Sequence, residues 1–120
     1  MEDSGFISTY AEFLKTIGEK NRLQIIFALQ EGAKSVSEIT EVTDLSQPLV
    51  SFHLRTLRER GIVETERENT FIYYSLKDDD LIENLTNLSK HLSYYQADKT
   101  SFDFEWPPWK NCKFFKNLSD

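Results

Sequence analysis

The sequence predicts a mainly α-helical domain carrying a small β-wing, and three observations predict it. Residues 46–61 read as a capped helix. The Ser46 hydroxyl is placed to accept from first-turn N–H groups, Pro48 sits where a missing N–H costs little, and Gly61 tolerates the positive φ that stops a helix. Next, Ile62 and Val63 open a strand and residues 71–76 return as an aromatic, β-rich run, with Glu68-Asn69 as the polar turn. Ahead of both, Ser35-Val36-Ser37-Glu38 fits the S/T-x-x-E capping box that starts a helix. Short helix, tight turn, capped helix and hairpin, in that order, make a winged helix-turn-helix.

The elements follow in sequence. Phe6, Tyr10, Phe13, Leu14 and Ile17 recur at three- and four-residue steps, an amphipathic first helix ending at Gly18. Residues 21–30 form a second helix with Leu23, Ile26, Phe27 and Leu29 inward, closed by Gly32. Residues 35–43 carry Val36, Ile39 and Val42 as a short apolar stripe, 44–46 turn, and 47–60 present Val50, Leu54 and Leu57 to the core. Asp78-Asp79-Asp80 caps a last helix on which Leu81, Leu85, Leu88, Leu92 and Tyr95 alternate steps of four and three, a heptad seam. The helix-turn-helix buries its own core, so this seam needs another partner. The expectation is a homodimer through the first and last helices, built from Phe6, Tyr10 and Phe13 with the seam; packing on the same chain's first helix is the simpler alternative. The domain is expected over 1–96. Residues 97–120 form an extension in which Phe102, Phe104, Trp106, Trp109, Phe114 and Phe115 crowd around Pro107-Pro108 with no helical or strand period.

A chain of 120 residues, 39% hydrophobic and 28% charged, has room for one domain with a real core. No apolar run reaches the roughly 18–20 residues of a membrane span. Met1-Glu2-Asp3-Ser4 lacks an apolar signal core, and the lone Cys112 excludes an intrachain disulfide; both fit a cytoplasmic protein. The net charge of −6 is unusual for a nucleic-acid binder, but its distribution is uneven. Residues 46–60 hold Arg55, Arg58 and Arg60 against Glu59, three positive charges less one negative, a local +2. Lys20, Arg22 and Lys34 lie close enough in sequence to join that face. Acids gather at 2–3, 64–68, 78–83 and 103–105. Such a body should bind DNA with modest, salt-sensitive affinity.

The stretch SQPLVSFHLRTLRERGIVETER followed by FIYYSL, preceded by KTIGEKNRLQIIFALQEGAKSVSEI, resembles the ArsR family of winged-helix repressors across roughly residues 10–92. The resemblance implies a dimeric DNA-binding repressor released from its operator by a metal ion or another signal. It points to Ser46, Gln47 and Ser51 as DNA contacts. Where the family often carries a Gly-Arg wing tip, Asn69-Thr70 stand here. On a helical wheel Val50, His53, Leu54 and Leu57 cluster on one side, and Gln47, Pro48, Ser51, Phe52 and Arg55 on the other. Glutamine pairs with adenine, arginine with guanine, and an apolar edge with a thymine methyl. His53 borders the apolar stripe, where packing is its more natural role; it is kept at the margin of the DNA-facing set. Arg58 and Arg67 are expected on phosphates, which give affinity without sequence information.

Metal-sensing relatives place cysteines on the first helix-turn-helix helix or carboxylate-histidine sets on the last. Residues 34–38 hold no thiol, so a soft-metal site is not expected. Aligned with the last-helix pattern, Asp78 and His91 keep the ligand type, Asp80 stands in a histidine's place and can still ligate, and Tyr94, a poor zinc ligand, takes the fourth place. The expectation is no cofactor, with zinc or another divalent metal at this degenerate set as the alternative. Cys112, between Lys110 and Lys113, is a candidate redox residue. No Gly-rich phosphate loop, complete metal set or nucleophile-base pair suggests an enzyme. The sequence therefore predicts a cytoplasmic, sequence-specific transcriptional regulator binding double-stranded DNA at an inverted-repeat operator. A winged-helix protein-interaction module docking through its aromatic extension is the alternative.

Overall fold

The computed structural model of the chain describes residues 4–96. It divides into two units, Met1–Asp79 and Asp80–Asp120, each taken by itself. The first holds helices α1 (Ser4–Ile17), α2 (Lys20–Ala28), α3 (Val36–Thr43) and α4 (Gln47–Glu59), then strands β1 (Val63–Glu68) and β2 (Phe71–Leu76). It is a winged helix-turn-helix, mainly helical with a two-stranded antiparallel hairpin.

Local chemistry sets the helix ends. Gly18 donates to the Leu14 carbonyl at 2.8 Å, and a Cβ on Gly18 would sit 2.8 Å from that same oxygen, so only glycine closes α1 this tightly. Glu19, not read as a cap from sequence, starts α2 by accepting from the Arg22 N–H at 2.9 Å. The capping box of α3 forms as predicted: Glu38 N–H donates to Ser35 Oγ at 3.3 Å and Ser35 N–H to Glu38 Oε1 at 2.9 Å. Asp44 ends α3 at φ 63°, and the buried Thr43 hydroxyl links Ile39 O to the Leu45 N–H across the turn. At the far end of α4, Gly61 adopts φ 78°. Its N–H bonds Arg58 O at 3.1 Å, and the next N–H, of Ile62, bonds Leu57 O at 2.9 Å. That pair of bonds is a Schellman stop, and it aims the chain into β1.

The core lies between α2, α3 and α4. Ile25, Ile26, Ile39, Val50, Leu54 and Leu57 are fully buried, with Ile17, Leu29, Val63 and Leu76 at its margin. The inward set expected for α2 is partly corrected. Leu23 and Phe27 are only half-buried, while Ile25 and Ala28 join Ile26 and Leu29 inside. The helix packs on α1, α3 and α4 together, so a wider arc is covered than a single amphipathic stripe predicts. It is also shorter than expected, passing into a 3₁₀ turn over Leu29–Glu31.

In the wing, Val63 pairs with Leu76 and Glu68 with Phe71, so Glu68 belongs to the strand and the turn is Asn69-Thr70, with Asn69 at φ 59°. Lys34 adds a short third rung by exchanging backbone bonds with Tyr74 at 2.9 and 2.8 Å. Strand alternation puts Arg67 and its partner Ile72 on the face of Val63, Thr65, Tyr74 and Leu76; Glu64, Glu66 and Glu68 lie on the other face with Phe71 and Tyr73.

In the second unit, α5 covers Leu81–Leu88 and continues as a 3₁₀ segment, Ser89–Ser93. Asp80 holds the N-cap place with helical backbone angles and no side-chain capping bond, unlike the carboxylate cap expected. The heptad seam is corrected as well. Leu81, Leu85 and Leu88 share the α-helix, whereas Leu92 falls in the tighter 3₁₀ winding and Tyr95 beyond it, so the spacing no longer keeps one face. The boundary expected after residue 96 falls at the edge of the described residues, and the aromatic extension and Cys112 lie outside them.

Candidate nucleic-acid interface

Helix α4 has two faces of opposite chemistry. Val50, Leu54 and Leu57 face the core, and Gln47, Pro48, Ser51, Phe52, Arg55 and Arg58 are exposed. Ser46 is also exposed; its Oγ accepts from the Leu49 N–H at 3.3 Å, and its O–H remains a donor. Phe52 is 62% exposed. A large ring is rarely left in water on a merely solvated face, and here it stands among hydrogen-bonding side chains. The surface thus offers an amide, a hydroxyl, guanidinium groups and one apolar edge, the set that reads base edges in a major groove.

His53 does not belong to this face. It is 6% exposed and packed between α4 and the start of α2. Arg22 Nη1 lies 3.4 Å from its Nδ1, and Glu19 Oε1 lies 3.8 Å from its Nε2. Arginine has only donors, so Nδ1 receives that bond. Its place beside Val50, Leu54 and Leu57 on the wheel marks it as a core-side residue, and the structure corrects its assignment to DNA.

The basic face is also narrower than charge summed along the sequence predicts. Arg22 turns inward, donating from Nε to the Thr16 carbonyl at 2.5 Å. Lys34, 15% exposed at its side chain, pairs with Glu31 at 3.9 Å. Arg60 reaches back to Glu12 of α1 at 3.2 Å. Arg55 stays on the surface and meets Glu59 one turn on, at 3.4 Å. Arg67 is exposed toward the tip of the wing.

Between α4 and the wing lies an open cleft of about 460 Å³, lined by Ser51, Arg55, Arg58, Glu59 and Tyr74. Tyr74 and Glu59 were not singled out from sequence. The signal for Tyr74 was its place two residues before the strand's buried Leu76, which fixes it on the face turned to α4.

No group of three or more His, Cys, Asp or Glu side chains that could hold a metal ion occurs among the described residues. No helix among them is long and apolar enough to cross a membrane. The residues expected at a dimer interface are divided between the two units. Phe6, Tyr10 and Phe13 are exposed on α1, with Phe6 and Tyr10 edge to face at 5.6 Å. Leu88 and Tyr95 are exposed in the second unit, and Leu81, Leu85 and Leu92 half-buried.

Residues 19–65 match the model of the bacterial regulatory protein arsR family. The chain is similar to a biofilm growth-associated repressor of Agrobacterium fabrum, 42% identical over 69 residues, which is 58% of this chain and 59% of that one. It is also similar to the transcriptional activator HlyU of Vibrio cholerae, 34% identical over 86 residues, 72% of this chain and 78% of that one. Among solved structures, the transcriptional repressor BigR from Xylella fastidiosa superposes with a TM-score of 0.60 at 32% identity, covering 77% of this chain and 91% of that one.

Proposed function

The chain belongs to the arsR family of bacterial regulatory proteins, DNA-binding transcriptional regulators and not enzymes, and from that footing we propose that it is a cytoplasmic, homodimeric repressor reading an inverted-repeat operator with α4. One observation carries the reading: α4 is divided lengthwise, with Val50, His53, Leu54 and Leu57 buried and Gln47, Ser51, Phe52 and Arg55 presented outward from a helix capped at both ends. A rigid helix with that exposed edge fits a major groove. The relatives include proteins named for repression and for activation; repression is the sign proposed here. A protein-docking module is not favoured by membership of a family of transcriptional regulators.

Apolar side chains left on α1 and on α5 support a two-fold dimer, since a monomer seldom exposes so many large ones. Two copies of α4 would then read half-sites about 10 bp apart or a multiple of that. The test is an electrophoretic shift on DNA upstream of the protein's own reading frame, beside random DNA. The wild type should prefer the upstream fragment. Gln47→Ala should lose about 1–3 kcal/mol on it and little on random sequence. No preference by the wild type would overturn the proposal; equal losses for Gln47→Ala on both DNAs would move that residue to a phosphate.

A further inference from the structure

We propose that the cleft between α4 and β2 seats one phosphate of the DNA backbone, with Tyr74 as a neutral donor and Glu59 as a brake on Arg55; the proposal rests on the DNA-binding reading above. Ser51, Arg55 and Arg58 stand at steps of four and three on α4, one row along the helix. Tyr74 faces that row from the wing. Its backbone is held on both sides, by the strand pairing with Thr65 and by the two bonds exchanged with Lys34. The phenol is therefore presented from a fixed position and needs little ordering when a ligand arrives.

Distance along the helix favours phosphate over base. Gln47 and Arg58 are separated by eleven residues, about 16 Å at 1.5 Å per residue. The major groove is about 12 Å wide. With Gln47 on base edges at the groove floor, the far end of the row reaches the rim, where phosphates stand. The lining suits such a group: Arg55 and Arg58 carry guanidiniums, and Ser51 and Tyr74 carry hydroxyls that can donate. The carboxylate of Glu59 opposes an anion, and its contact with Arg55 at 3.4 Å holds that guanidinium. Arg55 and Arg58 less Glu59 leave one net positive charge. A phosphate entering the cleft must compete with Glu59 for Arg55.

The test compares wild type with Tyr74→Phe, Arg58→Ala and Glu59→Gln, on operator and random DNA, across a salt series. Tyr74→Phe keeps the ring and removes only the hydroxyl. It should weaken both DNAs alike by roughly three- to tenfold, with an unchanged salt slope, because a neutral donor displaces no counterion. Arg58→Ala should also weaken both, and should reduce the slope by about one unit. Glu59→Gln, at an exposed position, should tighten both about threefold and steepen the slope. Wild-type affinity in Tyr74→Phe, or a loss confined to the operator, overturns the phosphate seat; unchanged or weaker binding by Glu59→Gln overturns the brake. Failure of the wild type to bind either DNA would instead remove the functional reading beneath both.

Discussion

Helices α1 and α4 carry apolar stripes of the same spacing and meet opposite fates. On α4, Val50, Leu54 and Leu57 are fully buried. On α1, Phe6, Tyr10, Phe13 and Leu14 remain 38%, 49%, 37% and 42% exposed, and only Ile17 at its end is buried. Periodicity states which residues share a face; it does not state what covers the face. Helix α4 packs against α2, α3 and β1, so its stripe is covered within the chain. Phe6, Tyr10, Phe13 and Leu14 of α1 keep part of their surface exposed among the described residues, and the dimer proposed above would cover it. The two stripes should therefore respond to different variables, one to intrinsic stability and the other to concentration.

The largest effect is expected on α4. Leu54→Ala removes buried methyl groups and leaves a cavity among side chains that are fully buried, at a cost of about 2–5 kcal/mol. The loss should appear in urea melts at every protein concentration. A loss below about 1 kcal/mol would mean that the core closes around the gap and that the contrast with α1 is weaker than burial suggests.

Next comes the exposed pair of surfaces. Tyr10→Asp on α1 and Leu88→Asp on α5 place a charge where an apolar partner is proposed, weakening association by about 2–4 kcal/mol. Both sites are exposed in the single chain, so far-ultraviolet circular dichroism of the diluted protein should be unchanged. Sedimentation should show loss of dimer, and operator binding should fall with it. A wild type that sediments as a monomer at micromolar concentration would break the comparison, because α1 would then tolerate water unaided.

Local signals made most of the domain legible. Ser35, Ser46 and Gly61 act through atoms within a few residues of themselves, and each does what its chemistry predicts. The exposed face of α4 was legible for the same reason, since Gln47, Ser51, Phe52 and Arg55 follow from the wheel once Leu54 and Leu57 are taken as inward. What the sequence could not display was choice of partner across the fold. Arg22 and Arg60 look like additions to a basic patch; they bond Thr16 and Glu12. The end of α5 was hidden for another reason. No glycine or proline marks it. Ser89 Oγ donates to Thr86 O at 2.5 Å and Ser93 Oγ to Lys90 O at 3.2 Å, local bonds of the kind that compete with regular helix.

Arg60 supplies the smallest effect and the sharpest division between the two sides of α4. It lies two residues beyond Arg58, a rotation of about 200° at 100° per residue, and so its guanidinium meets Glu12 of α1 and not the cleft. Both partners are about half exposed, 52% and 59%, so water screens the pair and it contributes at most about 1 kcal/mol. Arg60→Ala should therefore shift the melt slightly, and less at high salt than at low. Removing a positive charge from the end of a DNA-reading helix would ordinarily flatten the salt dependence of binding. Here the slope should match the wild type, while Arg58→Ala lowers it by about one unit. Equal flattening by both substitutions would place Arg60 on the phosphate side, and the division of basic residues between DNA and α1 would have to be redrawn.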